Sequence, residues 1–204
     1  MNGAIDIVNE AEQAGFELRR QFFAGNREKI VEAALRVSLA IARGGKLLIC
    51  GNGGSAADAQ HIAGEFVNRF LFDRPALPAI SLVTDTSVLT AIGNDSSFDQ
   101  VFARQIEALG RPGDALLAIS TSGKSPNVLN AMDVARQKGL FCIGLCGANG
   151  FVSADADLVI AVPSTHTPCI QEQHLVFEHL FCRLTDYFMF ENPAMLAERL
   201  QEHS

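Results

Sequence analysis

The sequence lacks the features that mark several common classes of protein. It contains no uninterrupted apolar run of the about 18 residues that a membrane helix needs. It begins with no charged-then-apolar leader, and it has no repeat, no low-complexity tract and no linker-like stretch. We therefore expect a cytoplasmic protein with no membrane partner, folded as a single domain over residues 1–204.

Basic charge and paired cysteines are also scarce. The chain carries 16 lysines and arginines against 23 aspartates and glutamates, for a formal net charge of −7. General binding to nucleic acid needs a basic surface, which argues against that class, although local N–H groups and hydroxyls can still bind a small anion. The five cysteines are odd in number and include no CxxC pair, which favours reduced thiols over a disulfide framework.

Strand-like and helix-like segments alternate along most of the chain. With 204 residues, 48% of them hydrophobic, the protein can bury one sizeable core. Short apolar runs typical of strands lie at 46–50, 79–83, 115–120, 141–146 and 158–162. Helical segments lie at 55–68, 87–92, 98–108, 127–138 and 168–190, followed by a short terminal helix. This alternation predicts the α/β class: a three-layer sandwich around a five-stranded, mainly parallel sheet, flavodoxin-like or Rossmann-like.

A helical arm precedes this alternation. Apolar spacing over residues 1–43 predicts two helices, broken near Gly25-Asn26, with the second over 27–43. The arm leads into an α/β core at 44–190 and a tail helix at 191–204. Its isoleucines, valines and phenylalanines are too apolar for solvent, so we expect it to pack on the core or on another subunit.

A glycine-rich turn follows the first strand and forms the first candidate site. Gly51-Asn52-Gly53-Gly54-Ser55 opens a helix on which His61 and Glu65 are four residues apart and share a face. Such a turn, followed by unpaired helix N–H groups, is suited to a phosphate. The turn also fits a loose dinucleotide pattern, but Asp85 lies about 30 residues on rather than about 20. A tight turn without a ligand is the structural alternative.

A hydroxyl-rich loop after a later strand forms the second candidate site. Ser120, Thr121, Ser122 and Ser125 are four hydroxyls within six residues, just before a helix. Short donors beside a helix N-terminus are what a phosphate monoester needs. A P-loop would require glycine where Ala118 stands, so that motif fails. The alternative is that Ser125 only caps the helix, which explains one hydroxyl and not four.

Two further groups of polar residues are ambiguous from spacing alone. Asn94-Asp95 stands at a break between helices, where an Asx turn is the default. On the last long helix, Gln171 and His179 lie on one ladder of residues and His174 and Glu178 on another. Spacing does not decide which histidine is functional, and a histidine on an apolar helix is more often a core residue.

Together these motifs resemble the sugar isomerase (SIS) domain family and, more narrowly, its phosphoheptose isomerases. The matching segments are 51–61 with Glu65, 92–95, 120–125 and 170–174 with His179, in the order typical of the family and spread over nearly the whole chain. The resemblance implies an aldose–ketose isomerase that converts sedoheptulose 7-phosphate to D-glycero-D-manno-heptose 7-phosphate. Its product would feed ADP- or GDP-heptose precursors, for lipopolysaccharide core or other surface sugars.

The resemblance also implies roles for individual residues. Glu65 and His179 match the acid–base pair, and zinc, where bound, is held by residues matching His61, Glu65, Gln171 and His179. Substrate contacts are implied for Asn52, Gly53, Gly54, Ser55, Glu65, Asn94, Asp95, Ser120, Thr121, Ser122, Ser125 and Gln171. The family forms homotetramers with active sites at subunit interfaces, and no nucleotide cofactor is implied.

One position departs from the pattern of the family, and two alternative functions compete. Cys169 stands where the family usually has arginine, which removes a cation near the start of the long helix. A non-catalytic SIS-fold regulator that binds the bacterial replication initiator shares 68–70, Arg74-Pro75 and 77–80. That regulator lacks the full glycine turn, Glu65 and His179, which favours the enzyme. A nicotinamide-dependent enzyme is disfavoured by the spacing of Asp85.

Overall fold

The protein is built around a five-stranded parallel sheet. A computed structural model describes residues 2–152 and 155–201. The strands are β1 (Leu47–Gly51), β2 (Ala79–Ser81), β3 (Ala115–Ser120), β4 (Phe141–Cys146) and β5 (Leu158–Ala161). They lie in the order β2-β1-β3-β4-β5, with Leu47 opposite both Ala79 and Ala115. All four pairings are parallel, which confirms the predicted sheet.

Helices cover both faces of this sheet. They are α1 (Asn2–Ala42), α2 (Gly54–Val67), α3 (Thr86–Asp95), α4 (Ala103–Leu109), α5 (Pro126–Gln137), α6 (Thr167–Asp186) and α7 (Pro193–Gln201). Alternate residues of β1 point to opposite faces: Leu47 and Ile49 pack with α1, α2 and α6, whereas Leu48 and Cys50 pack with α4 and α5. The predicted three-layer sandwich is therefore confirmed.

The arm is one continuous helix rather than the predicted two. Gly25 lies on the exposed side of α1, where a glycine costs little packing. Asn26 lies on the buried side and donates from Nδ2 to the carbonyl oxygens of Phe22 and Ala161, at 2.9 and 3.0 Å. These two bonds satisfy the buried amide within the helix, so the residue expected to break α1 instead joins it to β5.

Two predicted helices are also divided. The helix predicted over 98–108 is a 3-10 turn at Phe98–Gln100 followed by α4, and the Ser97 hydroxyl accepts from the amide of Asp99 at 3.1 Å. The helix predicted to reach residue 190 ends as α6 at Asp186 and continues as a π-helical turn over Tyr187–Glu191. Of the predicted tail helix, residues 202–204 lie outside the described residues. No helix within 2–152 and 155–201 is both long and apolar enough to span a bilayer.

Candidate active site

The two candidate loops lie side by side because β1 and β3 are neighbours. The chain leaves β1 toward β2 on one side and later returns to β3 on the other. A parallel sheet of this order has its switch point between β1 and β3, and ligands of such sheets bind there, beyond the carboxyl ends of the strands. The glycine turn and the hydroxyl-rich loop both begin at those carboxyl ends.

The first turn is compact because its glycines leave no room for side chains. Gly53 has a φ of 57°, in the left-handed region. A Cβ on Gly51 would come within 2.6 Å of the Ser55 carbonyl oxygen, and one on Gly54 would collide with the side-chain amide of Gln171. Gln171 of α6 is thereby placed against the N-terminus of α2.

The second loop holds its hydroxyls in an unusual arrangement. Ser125 stands at the N-cap of α5, yet its side chain makes no capping bond and lies 3.1 Å from the Ser120 hydroxyl. Simple capping therefore does not explain Ser125. Gly123, with a φ of 64°, packs so closely on the Gly150 carbonyl that any Cβ would collide. This packing folds the loop over the N-terminus of α5.

An amide pair joins the two loops. Asn52 donates from Nδ2 to Oδ1 of Asn127 at 2.8 Å, and Asn127 returns a bond of 2.9 Å to Oδ1 of Asn52. Asn127 is 2% exposed. The sequence signalled Asn127 only as part of a helix start, and its bond to a residue 75 positions earlier carries no local signal.

His61 and His179 meet across the α2–α6 interface. Their Nε2 atoms are 3.2 Å apart, and the rings meet edge to face with centroids 5.3 Å apart. Oε1 of Glu65 lies 3.9 Å from Nδ1 of His61, on the other side of that ring. Phe70 stacks on His179, with centroids 5.8 Å apart. The Glu65 carboxylate and the imidazoles of His61 and His179 therefore form a single cluster.

The structure also decides between the two histidines of α6. His179 is exposed at the cluster, whereas His174 is fully buried, with Nε2 3.4 Å from the carbonyl oxygen of Cys146. Burial lowers the pKa of His174 to about 4, so this imidazole is neutral. His174 is thus a core residue, and His179 faces the site.

A buried carboxyl group and a half-buried one lie beside the cluster. Glu178 is fully buried and neither of its oxygens has a hydrogen-bond partner. Burial, reinforced by the charge of Asp58, raises the pKa of Glu178 to about 8. Burial likewise raises the pKa of Asp58 to about 6, although nearby His61 opposes this shift. Both groups are protonated more readily than ordinary carboxyls.

An open cavity of about 490 Å³ leads to His61 and Glu65. Its remaining walls are Gln60, Gly64, Asn68, Arg69 and Phe70. Sequence reasoning assigned no function in the enzyme to these five residues, because they lie on helix turns and a loop without any motif chemistry. The cavity gives a small polar molecule access to Glu65.

The remaining predicted residues are less closely connected to this cluster. Asn94 and Asp95 form the last turn of α3 and are exposed, with the Asn94 amide donating to Oδ1 of Asp95 at 2.7 Å. Among the described residues, no hydrogen bond joins this pair to either loop. Cys169 lies in the first turn of α6, with its sulfur 3.2 Å from Nδ1 of His166.

Comparison with known proteins then identifies the chain. The family model of the SIS domain matches residues 12–147, more than half of the chain. Phosphoheptose isomerase of Desulfovibrio desulfuricans is 55% identical over 200 residues, covering 98% of this chain and 95% of that protein. The chain belongs to the SIS domain family and to its phosphoheptose isomerases.

Solved structures of the family share the fold. The phosphoheptose isomerase of Neisseria gonorrhoeae superposes with a TM-score of 0.81 at 39% identity, covering 90% of this chain and 98% of that one. The phosphoheptose isomerase of Francisella tularensis gives a TM-score of 0.86 at 35% identity, with the same coverages. The likeness extends over nearly the whole of each family member.

The distance between the two facing histidines indicates whether the zinc expected from the sequence fits this site. Two nitrogens at about 2.0–2.1 Å from one tetrahedral zinc lie about 3.3 Å apart, which matches the 3.2 Å between the Nε2 atoms. Within the described ranges, however, no three His, Cys, Asp or Glu side chains are grouped to hold a metal. The chain as it stands offers two converging donors, with Glu65 beside His61 and Gln171 against the N-terminus of α2.

Proposed function

We propose that this protein converts sedoheptulose 7-phosphate to D-glycero-D-manno-heptose 7-phosphate. The observation that carries the proposal is the cluster of Glu65, His61 and His179, on the same two helices whose first turns bring Gln171 against the glycine turn. The relatives named phosphoheptose isomerase, at up to 55% identity over nearly the full chain, support the same reaction. Nothing in the fold or in these relatives favours the replication-regulator alternative.

The reaction moves one hydrogen between two carbons, so it needs a base and an acid. Glu65 takes the proton from C1 of the ketose while His179 protonates the carbonyl oxygen on C2, which leaves an enediol. Returning a proton to C2 and removing the one on the C1 oxygen produces the aldose. A positioned general acid or base contributes on the order of 10²–10⁴-fold to the rate. Loss of either Glu65 or His179 should therefore remove most of the turnover.

The substrate's phosphate binds at the hydroxyl-rich loop. Ser120, Thr121, Ser122 and Ser125 supply hydroxyl donors at the N-terminus of α5, where free N–H groups and the helix dipole favour an anion. Asn52, Gly53, Gly54 and Ser55 line the sugar on the adjacent turn, with Gln171 across from them. We assign Asn94 and Asp95 a sugar contact as well, on the resemblance alone.

Zinc is proposed at the facing histidines, with Glu65 and Gln171 completing the ligand set. A bound zinc supplies Lewis acidity, which polarises the carbonyl and hydroxyl oxygens of a sugar. With zinc held there, His179 would serve as a ligand and would not be available as a free acid. The metal-bound and metal-free forms therefore assign different roles to the same imidazole.

We propose a homotetramer with active sites at subunit interfaces. The first turns of α1 extend beyond the core and expose Ile5, Val8 and Phe16 at 59%, 61% and 75%. Such a row of large apolar side chains is costly in water and is suited to burial against another copy of the chain. The five unbonded cysteines support a reducing, cytoplasmic location.

Turnover of sedoheptulose 7-phosphate by the purified protein tests the function. The assay compares protein as purified, after chelator treatment and after zinc is restored, with metal content measured in each sample. Aldoheptose that appears only with zinc supports the metal site, and formation indifferent to chelator supports free acid and base. No product even with zinc present contradicts the isomerase, and binding to the replication initiator would then be measured.

A further inference from the structure

Arg74 lies just beyond α2 and is buried, which is unusual for an arginine. Its side chain is 2% exposed, and that of its ion-pair partner Asp186 is 1% exposed. The Arg74 Nε donates to Oδ1 of Asp186 at 2.8 Å. A buried ion pair loses much of its attraction to desolvation, so it adds little stability compared with apolar packing. What a buried guanidinium does provide is fixed geometry, because its planar fork donates in set directions.

The other bonds of Arg74 go to the end of α2. Nη2 donates to the carbonyl oxygen of Glu65 and Nη1 to that of Phe66, both at 2.8 Å. These carbonyls belong to the last turn of the helix, where no intrahelical partner remains. Nη1 also donates to the carbonyl oxygen of Pro75 at 3.0 Å, which fixes the loop that carries Arg74. The guanidinium thus binds the backbone of Glu65 itself.

Asp186, at the other end of the ion pair, belongs to the helix of His179. The two residues are seven apart on α6, about two turns, and therefore share a face. Phe70, from the same loop as Arg74, stacks on the ring of His179. The Arg74 side chain therefore joins α2, which carries Glu65, to α6, which carries His179. Its loop also contacts His179 directly, through Phe70.

We propose that Arg74 is a positioning residue for the Glu65–His179 pair. Its guanidinium holds α2 against α6 so that the two side chains keep the separation that the reaction needs. The inference rests on the proposed function for the roles of Glu65 and His179, and it goes beyond that function in assigning Arg74 a part. A misplacement of about 1 Å at reacting groups costs on the order of 10²-fold in rate.

The test compares Arg74→Lys and Arg74→Met with Asp114→Asn as a matched control. Asp114 is also a buried carboxylate paired with a cation, Lys46, but its bonds go to Lys46 and Arg111 and not to α2 or α6. Lysine keeps the charge, but its three N–H donors lie on one nitrogen and cannot reach the three carbonyls and the carboxylate that the guanidinium binds, so it restores the geometry only in part. For each variant, kcat and KM are measured at matched fractions of folded protein.

We expect kcat to fall about 10-fold for Arg74→Lys and about 100-fold for Arg74→Met, with KM changed by less than about threefold. KM is spared because the phosphate loops do not touch Arg74. Asp114→Asn should leave both constants unchanged. A kcat loss no larger than that of the control, or full activity in Arg74→Met, would overturn the proposal. If the arginine variants do not fold, Asp186→Asn replaces them, with the same criteria.

A second readout does not depend on turnover. The ring resonances of His61 and His179 are followed by NMR in protein with labelled histidine, and assigned by substituting each residue. Both should shift in Arg74→Lys and stay in place in Asp114→Asn. If the unaltered protein shows no turnover, the proposed function fails, and these resonances alone decide whether Arg74 positions the two helices. Unmoved resonances would refute the inference.

Discussion

The two edges of the sheet use polar residues in opposite ways. At the amino edge Asp114 accepts from the backbone amides of Lys46 and Arg111, at 2.9 and 2.8 Å, and pairs with the Lys46 ammonium. Asp157 accepts from the amide of Cys142 at 2.7 Å. At the carboxyl edge, by contrast, two hydroxyls lie next to each other, and between the covering helices α2 and α6 imidazole faces imidazole. Polar side chains at the amino edge bond to the backbone and stabilise the fold, whereas those at the carboxyl edge remain available to a ligand.

Buried atoms without partners are concentrated on the elements that carry the site. Seven such side-chain atoms occur among residues 2–152 and 155–201, and all lie on α2, on α6 or at the end of β2. They belong to Asp58, Ser81, Gln173, His174, Glu178 and Asp186. Leaving a buried polar group unpaired costs about 1–3 kcal/mol of stability. The polar groups on the elements that carry the site therefore stabilise the fold less than Asp114 and Asp157 do at the amino edge. Substitutions at the two edges should therefore affect activity and stability differently.

The largest expected effect is on catalysis at the cluster between α2 and α6. Glu65→Gln keeps the shape of the side chain but removes the base, so kcat should fall by on the order of 10²–10⁴-fold while sugar phosphate still binds. Steady-state kinetics and a binding titration with the substrate check both parts. Glu107→Gln, which alters a surface pair with Arg104, serves as the control. Substantial turnover by Glu65→Gln would remove Glu65 from the mechanism.

The next effect is a pH dependence of stability that arises from Glu178. Its pKa rises from 4.5 to about 8 on folding, so the folded state prefers the protonated form. The contribution to stability is full below about pH 4.5 and is lost as the pH rises toward 8, by up to a few kcal/mol. Denaturant unfolding between pH 5 and 8 should show this loss, and Glu178→Gln should flatten it. Glu172 is an exposed glutamate of the same helix. If Glu172→Gln flattened the pH dependence of stability as much as Glu178→Gln, the assignment to Glu178 would be contradicted.

At the amino edge the expected effect is on stability alone. Asp114→Asn weakens the pair with Lys46 and one of the accepted amide bonds, and should lower the free energy of unfolding by about 1–3 kcal/mol. The kcat of the folded fraction should not change, because the residue lies at the far end of β3. Urea unfolding and kinetics on the same preparation measure both. A loss of kcat in the folded protein would break the contrast between the edges.

The smallest effect is expected at the amide pair between the loops. Asn127 is the only side chain among the described residues that is hydrogen-bonded to Asn52, and Asn127→Ala removes it. KM should therefore rise about tenfold, which corresponds to about 1.4 kcal/mol, with a smaller change in kcat. Asn130→Ala is the matched control, since Asn130 lies on the same helix and donates to the carbonyl of Asp99 instead. Equal KM values for the two variants would show that the amide pair does not hold Asn52 for substrate.

Much of this architecture was predictable because local patterns carried it. Four of the five predicted strands overlap the observed ones to within one residue at either end, since buried parallel strands are continuous apolar runs bounded by turns. The break expected at Gly25-Asn26 was wrong for the opposite reason. Asn26 is stabilised in α1 by the carbonyl of Ala161, a partner 135 residues away that no local pattern reveals.

The sequence by itself determined the types of chemistry: a glycine turn, a cluster of hydroxyls, and a carboxylate and an imidazole at helical spacing. Tertiary structure alone decided which of these groups meet. The order of the strands placed the two loops side by side, and the packing of α2 on α6 brought His61 to His179 rather than to His174. It also buried Glu178 and Arg74, whose pKa shift and bonds depend on neighbours far along the chain. Residue types and spacing are local properties, whereas contact, burial and charge environment arise only when distant segments pack together.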